Sequence, residues 1–416
     1  MNLKNDISYR WIIFAAFIFS QLVLSIAGYG WGVLAPFFKE SMSLNSTQLG
    51  LIGSTFYLTA AFSAFPAGII TDRFGVKTGF LLWLGLTGLP LLLAGMVQSC
   101  FILFLLIIAI SGSGYGMGNP VSSKGLFLWF DKNTRGLVFG IKQAGVTVGA
   151  AAAGVLLVYL SRKFGPFIAL VIIGSFISFM FVVVFFLYRD PVKDNNLSQS
   201  DTKKSEEPEQ KPSAFFNLRS IITNRLFLYL CIIMAILGLL QGIIVTFFIL
   251  YITESHGYPL MMAGTLFSTI MLSGAIGRIL WGLTSDRLFD GRRKPVLIII
   301  AGLAVFCITS LAFWSAAIPK FLLYGIAVCV GLSALGWNSI CLLMVTEITD
   351  KDKTATFVGL ASTIAWFGLA CGPLAFGILT DYCGYYISWI TLAVICICNL
   401  ILIFALPISK TADSNI

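Results

Sequence analysis

The sequence predicts an all-α polytopic membrane protein, with twelve transmembrane helices in two pseudo-symmetric halves of six. Three observations carry this. The 416 residues are 58% hydrophobic and 11% charged, about half the charge of an ordinary soluble domain. Apolar runs of about 20 residues, each enough to cross a bilayer core, recur along the whole chain. One charged turn, Gly-x-x-x-Asp-Arg, occurs twice, in "GIITDRFGVKTG" at 68–79 and "GLTSDRLFDGRRK" at 282–294. Lipid offers no partner to a free amide, so each crossing segment must satisfy its own backbone as a helix.

The apolar runs lie near 11–36, 47–70, 78–97, 101–129, 136–160, 166–188, 224–252, 259–284, 295–315, 320–346, 355–379 and 387–407. The first continues through Phe37–Phe38 without a small-residue cleavage site and reads as a retained helix. The second ends in the first charged turn, with Gly68, Asp72, Arg73, Gly75 and Lys77. Spans four and five carry "GSGYGMGN" and "GVTVGAAAAG", which suit close helix packing; no strand precedes them, as a phosphate cradle would need. After span six, residues 190–222 form a polar linker that cannot bury a core of its own. It divides the chain into an N-terminal half, 1–189, and a C-terminal half, 223–416. Span eight ends in the second charged turn, with Gly282, Asp286, Arg287 and Arg292.

The halves repeat beyond these turns. A shift of 219 residues pairs Asn119 with Asn338, Asp131–Lys132 with Asp350–Lys351, Gly140 with Gly359, Gly149 with Gly368 and Gly165 with Gly384. Repeated six-span units suit a substrate site held between them. About twenty Lys and Arg fall on the side of the N-terminus and about four on the other, a bias that puts both termini in the cytoplasm. The net charge of +9 follows from this bias and does not point to nucleic acid. Nine scattered cysteines and the single His256 show no metal-ligand spacing, so neither cofactor nor enzymatic chemistry is expected.

Charge inside the hydrocarbon is informative because it costs about 2.5–3.5 kcal/mol per residue. Arg278 lies eight positions before Asp286, about 12 Å inside its helix end, and Lys142 seven after Arg135, about 10 Å. Lys124 is similarly placed before Asp131. No acidic residue is expected at comparable depth. Such cations suit an anion, with a carboxylate bidentate on Arg278. The lysines can instead snorkel to the interface, and Arg278 can bond carbonyls of a neighbouring helix. Tyr29, Trp31, Asn119, Gln241 and Asn338 are further candidates for substrate contact, and each also suits packing between helices.

The two charged turns and the 6+6 layout around a linker resemble the major facilitator superfamily across nearly the whole chain. The resemblance implies that spans one, four, seven and ten line a central cavity. It also implies that the two turns form cytoplasmic charge networks that latch an outward-open state; the alternative is that they cap helix ends and enforce topology. Within the superfamily, "YGWGVLAPFF" and "GRILWGLTSDR" are similar to the monocarboxylate and oxalate/formate branch, whose span-eight arginine contacts the substrate carboxylate. Arg278 occupies the matching place. Two features depart from that branch: Gly274 stands where eukaryotic members have an acidic residue, and span eleven lacks the lysine of oxalate carriers. The organic anion:cation symporter branch is a near rival, with Lys142 in place of the missing cation. The expectation is therefore a cytoplasmic-membrane secondary transporter, working as a monomer, for a small mono- or dicarboxylate, with proton symport or anion exchange. A multidrug or metabolite exporter of the same fold and a non-transporting receptor or sensor are the alternatives.

Overall fold

The computed structural model describes residues 7–130, 132–190, 225–315, 318–348 and 354–406. The linker after Asp190 lies outside the described residues, as do Asp131, Asp350 and Lys351 of the repeat. The described elements are helices: α1 Ile7–Met42, α2 Ser46–Phe74, α3 Val76–Ala94, α4 Phe101–Gly116, α5 Gly118–Trp129, α6 Lys132–Phe164, α7 Pro166–Leu187, α8 Arg225–His256, α9 Leu260–Leu288, α10 Arg293–Ala312, α11 Lys320–Val330, α12 Asn338–Glu347 and α13 Thr354–Ala405. Eleven stretches are long and apolar enough to cross a membrane. The last of them holds two spans, because Gly384, at φ 78° and ψ 169°, turns the chain inside α13. Twelve spans result. Where the sequence suggested a loop between 379 and 387, helix runs on to that glycine.

Two spans are interrupted. Span four is α4 plus α5, broken at Met117, and span ten is α11 and α12 joined through a π-helical segment, Gly331–Leu335. The Gly336 N–H donates to the Gly331 carbonyl at 3.2 Å, the wide i→i+5 ring of a π turn. The 219-residue shift carries Met117 onto Gly336, so the two interruptions are counterparts.

The repeated glycines do the same work in each half. Gly165 (φ 86°) opens span six as Gly384 opens span twelve, both in backbone that favours glycine. A Cβ on Gly149 would overlap the Leu22 carbonyl of span one, and one on Gly368 would overlap the Ala235 carbonyl of span seven. Span five therefore lies on span one as span eleven lies on span seven.

The halves meet toward the face opposite the charged turns, here the far face. A Cβ on Gly32 would overlap the Val245 carbonyl, one on Gly50 that of Pro373, and Gly154 and Gly264 leave no room for side chains between them. The Ser268 hydroxyl donates to the Ala151 carbonyl at 2.6 Å. At the far rim, Asp381 of span eleven caps span two from across the seam. It accepts from Ser46 N at 2.8 Å, Thr47 N at 2.7 Å and the Thr47 hydroxyl at 2.6 Å. Lys39 pairs with Glu254 at 2.8 Å, and the Tyr385 hydroxyl donates to the same carboxylate at 3.0 Å. On the face of the charged turns, no hydrogen bond or ion pair joins the halves among the described residues. Among the described residues, the polar ties between the halves lie toward one face.

Removing the Asp381 carboxylate should loosen that tie. Loss of a helix cap costs about 1 kcal/mol, so Asp381→Ala should raise the far-face-open population several-fold. Distances between spin labels on the rims of spans one and eleven measure it, and Asp381→Asn, which keeps one acceptor oxygen, should shift them less.

Candidate substrate site

Arg278 lies on α9, half-buried, where span eight packs on the π segment of span ten. Its Nε donates to the Leu335 carbonyl at 3.3 Å. One turn on, Trp281 Nε1 donates to the Leu332 carbonyl at 2.8 Å, and the Ser339 hydroxyl donates to the Arg278 carbonyl at 2.9 Å. A π turn loosens the regular helical ladder, and span eight supplies donors to two of its carbonyls. The backbone-bonding role considered for Arg278 thus applies to Nε. Its terminal Nη groups have no hydrogen-bond partner among the described residues, so the guanidinium is held by one edge with its fork free.

Across the seam, Tyr115 of span four lies within electrostatic reach of both Arg278 and Tyr29, and Tyr57 of span two lies within reach of Tyr29 and Tyr115. Gly28 makes this grouping possible, since a Cβ there would overlap the Tyr115 ring. The Tyr57 hydroxyl donates to the Gly28 carbonyl at 3.0 Å. Three phenols of the first half therefore form one group, of which Tyr115 lies within electrostatic reach of Arg278. Tyr29 was legible as a candidate; Tyr57 and Tyr115 were not, because their meeting depends on how spans one, two and four pack. Trp31 separates from this group. It is buried, with its ring 5.3 Å from that of Phe56, and belongs to the packing of spans one and two.

The two lysines diverge. Lys142, only 2% exposed, does not snorkel: its amine donates to the Asn119 Oδ1 at 2.8 Å. Lys124, expected among unpaired membrane cations, does have an acidic partner. It pairs with Asp72 at 2.5 Å and donates to the Thr71 carbonyl at 3.1 Å. The end of span two lies beside span four, a neighbourhood that sequence spacing does not reveal, and it gives Lys124 a partner within its own half. Gln241 is buried in span seven, and Asn338 is half-buried at the start of α12. Neither bonds to Arg278 or Lys142.

Each charged turn closes on its own half. Gly75 (φ 91°) begins span three, where Asp190 accepts from Val76 N at 3.1 Å and Lys77 N at 3.2 Å. Arg73 lies 5.4 Å over the Phe74 ring and the Lys77 amine 5.3 Å over that of Phe185. In the second turn Asp286 pairs with Arg293, which also binds Glu347 at 3.0 Å, and the Arg292 carbonyl accepts from the Ser285 hydroxyl at 3.1 Å. Arg287 has no partner among the described residues. A Cβ on Gly68 or Gly282 would meet nothing within 4 Å, so neither glycine is required sterically in this conformation. Asp190 and Glu347 are members of these networks that lie outside both charged stretches, and Arg293 belongs to the second stretch alone.

The family model of the Major Facilitator Superfamily matches residues 17–343 and 281–416. The membrane sensor protein UhpC of Salmonella typhimurium is 24% identical over 378 residues, covering 88% of this chain and 83% of that protein. The hexuronate transporter of Bacillus subtilis is 24% identical over 367 residues, covering 85% and 84%. The probable galactarate/D-glucarate transporter GudP of the same species is 22% identical over 416 residues, covering 91% and 87%. Among solved structures, a bacterial homologue of the human lysosomal transporter Spinster, inward-facing and unoccupied, superposes with a TM-score of 0.80 at 16% identity, covering 97% of this chain and 98% of that one. This last likeness concerns the fold.

Because Lys124 is committed to Asp72 in a partly exposed pair, Lys124→Gln should leave ligand affinity within about two-fold and cost at most about 1 kcal/mol of stability. Thermal unfolding with and without ligand reads both quantities.

Proposed function

The chain belongs to the Major Facilitator Superfamily, and on that premise we propose that it is a secondary transporter of a small organic anion whose carboxylate binds Arg278. One observation carries the reading: a guanidinium is tethered through Nε with its fork free, and Tyr115 of the other half lies within its electrostatic reach. Two parallel N–H groups match a carboxylate, and the Tyr29 phenol can donate to neighbouring hydroxyls of the anion. The relatives named for hexuronate, galactarate/D-glucarate and sulfoacetate support an anionic substrate.

The Lys/Arg bias assigns the face of the charged turns to the cytoplasm. The protein is then closed to the outside and open to the inside. Rocking of the halves exchanges one set of contacts for the other. Asp381, Glu254 and Lys39 release their partners, while the turns at Asp72–Arg73 and Asp286–Arg287 approach each other and latch the outward-open state. Proton symport or exchange for a second anion drives the cycle. A sensing role is the second reading, favoured by the likeness to UhpC. Uptake into proteoliposomes separates the two, since a sensor binds without accumulation.

Purified protein heated with D-glucuronate, D-glucarate, sulfoacetate, glucose 6-phosphate, a neutral sugar and an organic cation tests the class. Binding at 100 times Kd adds about 2.7 kcal/mol, and only anions should do so. Arg278→Lys keeps the charge but loses the planar fork; affinity should fall about ten-fold or more with expression retained. Stabilisation by the cation, or unchanged affinity in Arg278→Lys, overturns the assignment.

A further inference from the structure

Lys142 and Asn119 are the second unusual feature of the membrane interior. Neither long-range repeat copies the cations. The 219-residue shift carries Lys142 onto Ala361, and the 214-residue shift relating the charged turns carries Arg278 onto Ala64. Each half thus supplies one embedded cation that its counterpart lacks. Spans five and eight run antiparallel and touch at Gly154 with Gly264 and at Ala151 with Ser268. Continuing that register toward the charged turns brings Lys142 to about the depth of Arg278.

The chemistry of the pair is directional. An ammonium only donates, so the Asn119 Oδ1 must face Lys142, and the amide N–H groups must point elsewhere. Lys142 is buried, whereas Asn119 is exposed. Asn119 lies four positions beyond Tyr115 in span four, on the other side of the break at Met117. Tyr115 lies within electrostatic reach of Arg278 across the seam. The lysine also polarises the amide, which strengthens its N–H groups as donors.

We propose that Lys142 is a positioning residue that turns the Asn119 amide N–H groups toward the cavity, where they bind an oxygen at the end of the substrate remote from Arg278. The site therefore selects anions that carry a second oxygen-bearing group, a hydroxyl or another acid, over simple monocarboxylates. This rests on the organic-anion reading.

The test compares D-glucuronate with hexanoate, which share a carboxylate and a six-carbon skeleton but differ in everything beyond it. Equilibrium binding to the purified full-length protein should favour D-glucuronate by about ten-fold or more, the contribution of a hydrogen bond from a polarised donor. Asn119→Leu and Lys142→Met should each bring that ratio close to one while leaving hexanoate affinity unchanged. Lys142→Arg can still donate to Oδ1 and should keep the preference. Because Lys142→Met can unfold the protein, Asn119→Asp gives the same reading with the lysine still paired: the amide donors vanish and the preference with them. A preference surviving in Asn119→Leu or Asn119→Asp overturns the proposal, as does an equal fall in both affinities. If wild type binds the two anions equally, the second contact falls and Arg278 stands. If it binds neither of them nor any anion of the panel, the organic-anion reading falls, and this inference with it.

Discussion

Contact of bare backbone across the seam between the halves is the constraint from which the rest follows. In lipid there is no hydrophobic force to press two helices together, so close packing has to supply the attraction, and glycine allows the closest approach. Gly32, Gly50, Gly154 and Gly264 each face main-chain atoms of the opposite half. These approaches all lie toward the far face, and Asp381 and Glu254 add directed bonds at the rim. The seam thereby brings Tyr115 within electrostatic reach of Arg278 although they belong to different halves. The charged turns at the other end are left to complete their hydrogen bonds locally.

The same geometry separates repeated residues from unrepeated ones. Gly149 and Gly368, or Gly165 and Gly384, solve identical packing and turning problems twice. Arg278, Lys142 and the tyrosines of spans one, two and four answer to no symmetry, as expected of groups that touch an asymmetric molecule. Asn119 lies on the boundary: its copy Asn338 exists, yet only Asn119 has a lysine beside it.

The fold was open to reading because a bilayer demands about 20 apolar residues per crossing, and a duplicated chain displays its own architecture through repeated turns and glycines. Depth was legible as well, since rise per residue converts position into distance for Arg278 and Lys142. Rotation about the helix axis was not, because neighbouring helices set it. That is why Lys142 could be read as snorkelling when its amine in fact reaches Asn119, and why Lys124 gained an acid 52 positions away. The π segment left no trace in periodicity, since one wide turn does not alter an apolar run. The boundary near Gly384 was blurred for a related reason: the helix continues to the glycine and resumes directly after it.

The π segment also bears on how such a protein changes over generations. Arg278 and Trp281 are aimed by the carbonyls of Leu335 and Leu332, not by their side chains. A carbonyl is present whichever amino acid occupies the position. Mutation at 332 or 335 can therefore change how spans eight and ten pack while the guanidinium keeps its bearing. Aiming is delegated to the main chain and selection to the side chains, so drift in the second need not erode the first. A lineage built this way can vary its side chains in small steps while the carbonyls that hold Arg278 and Trp281 stay in place.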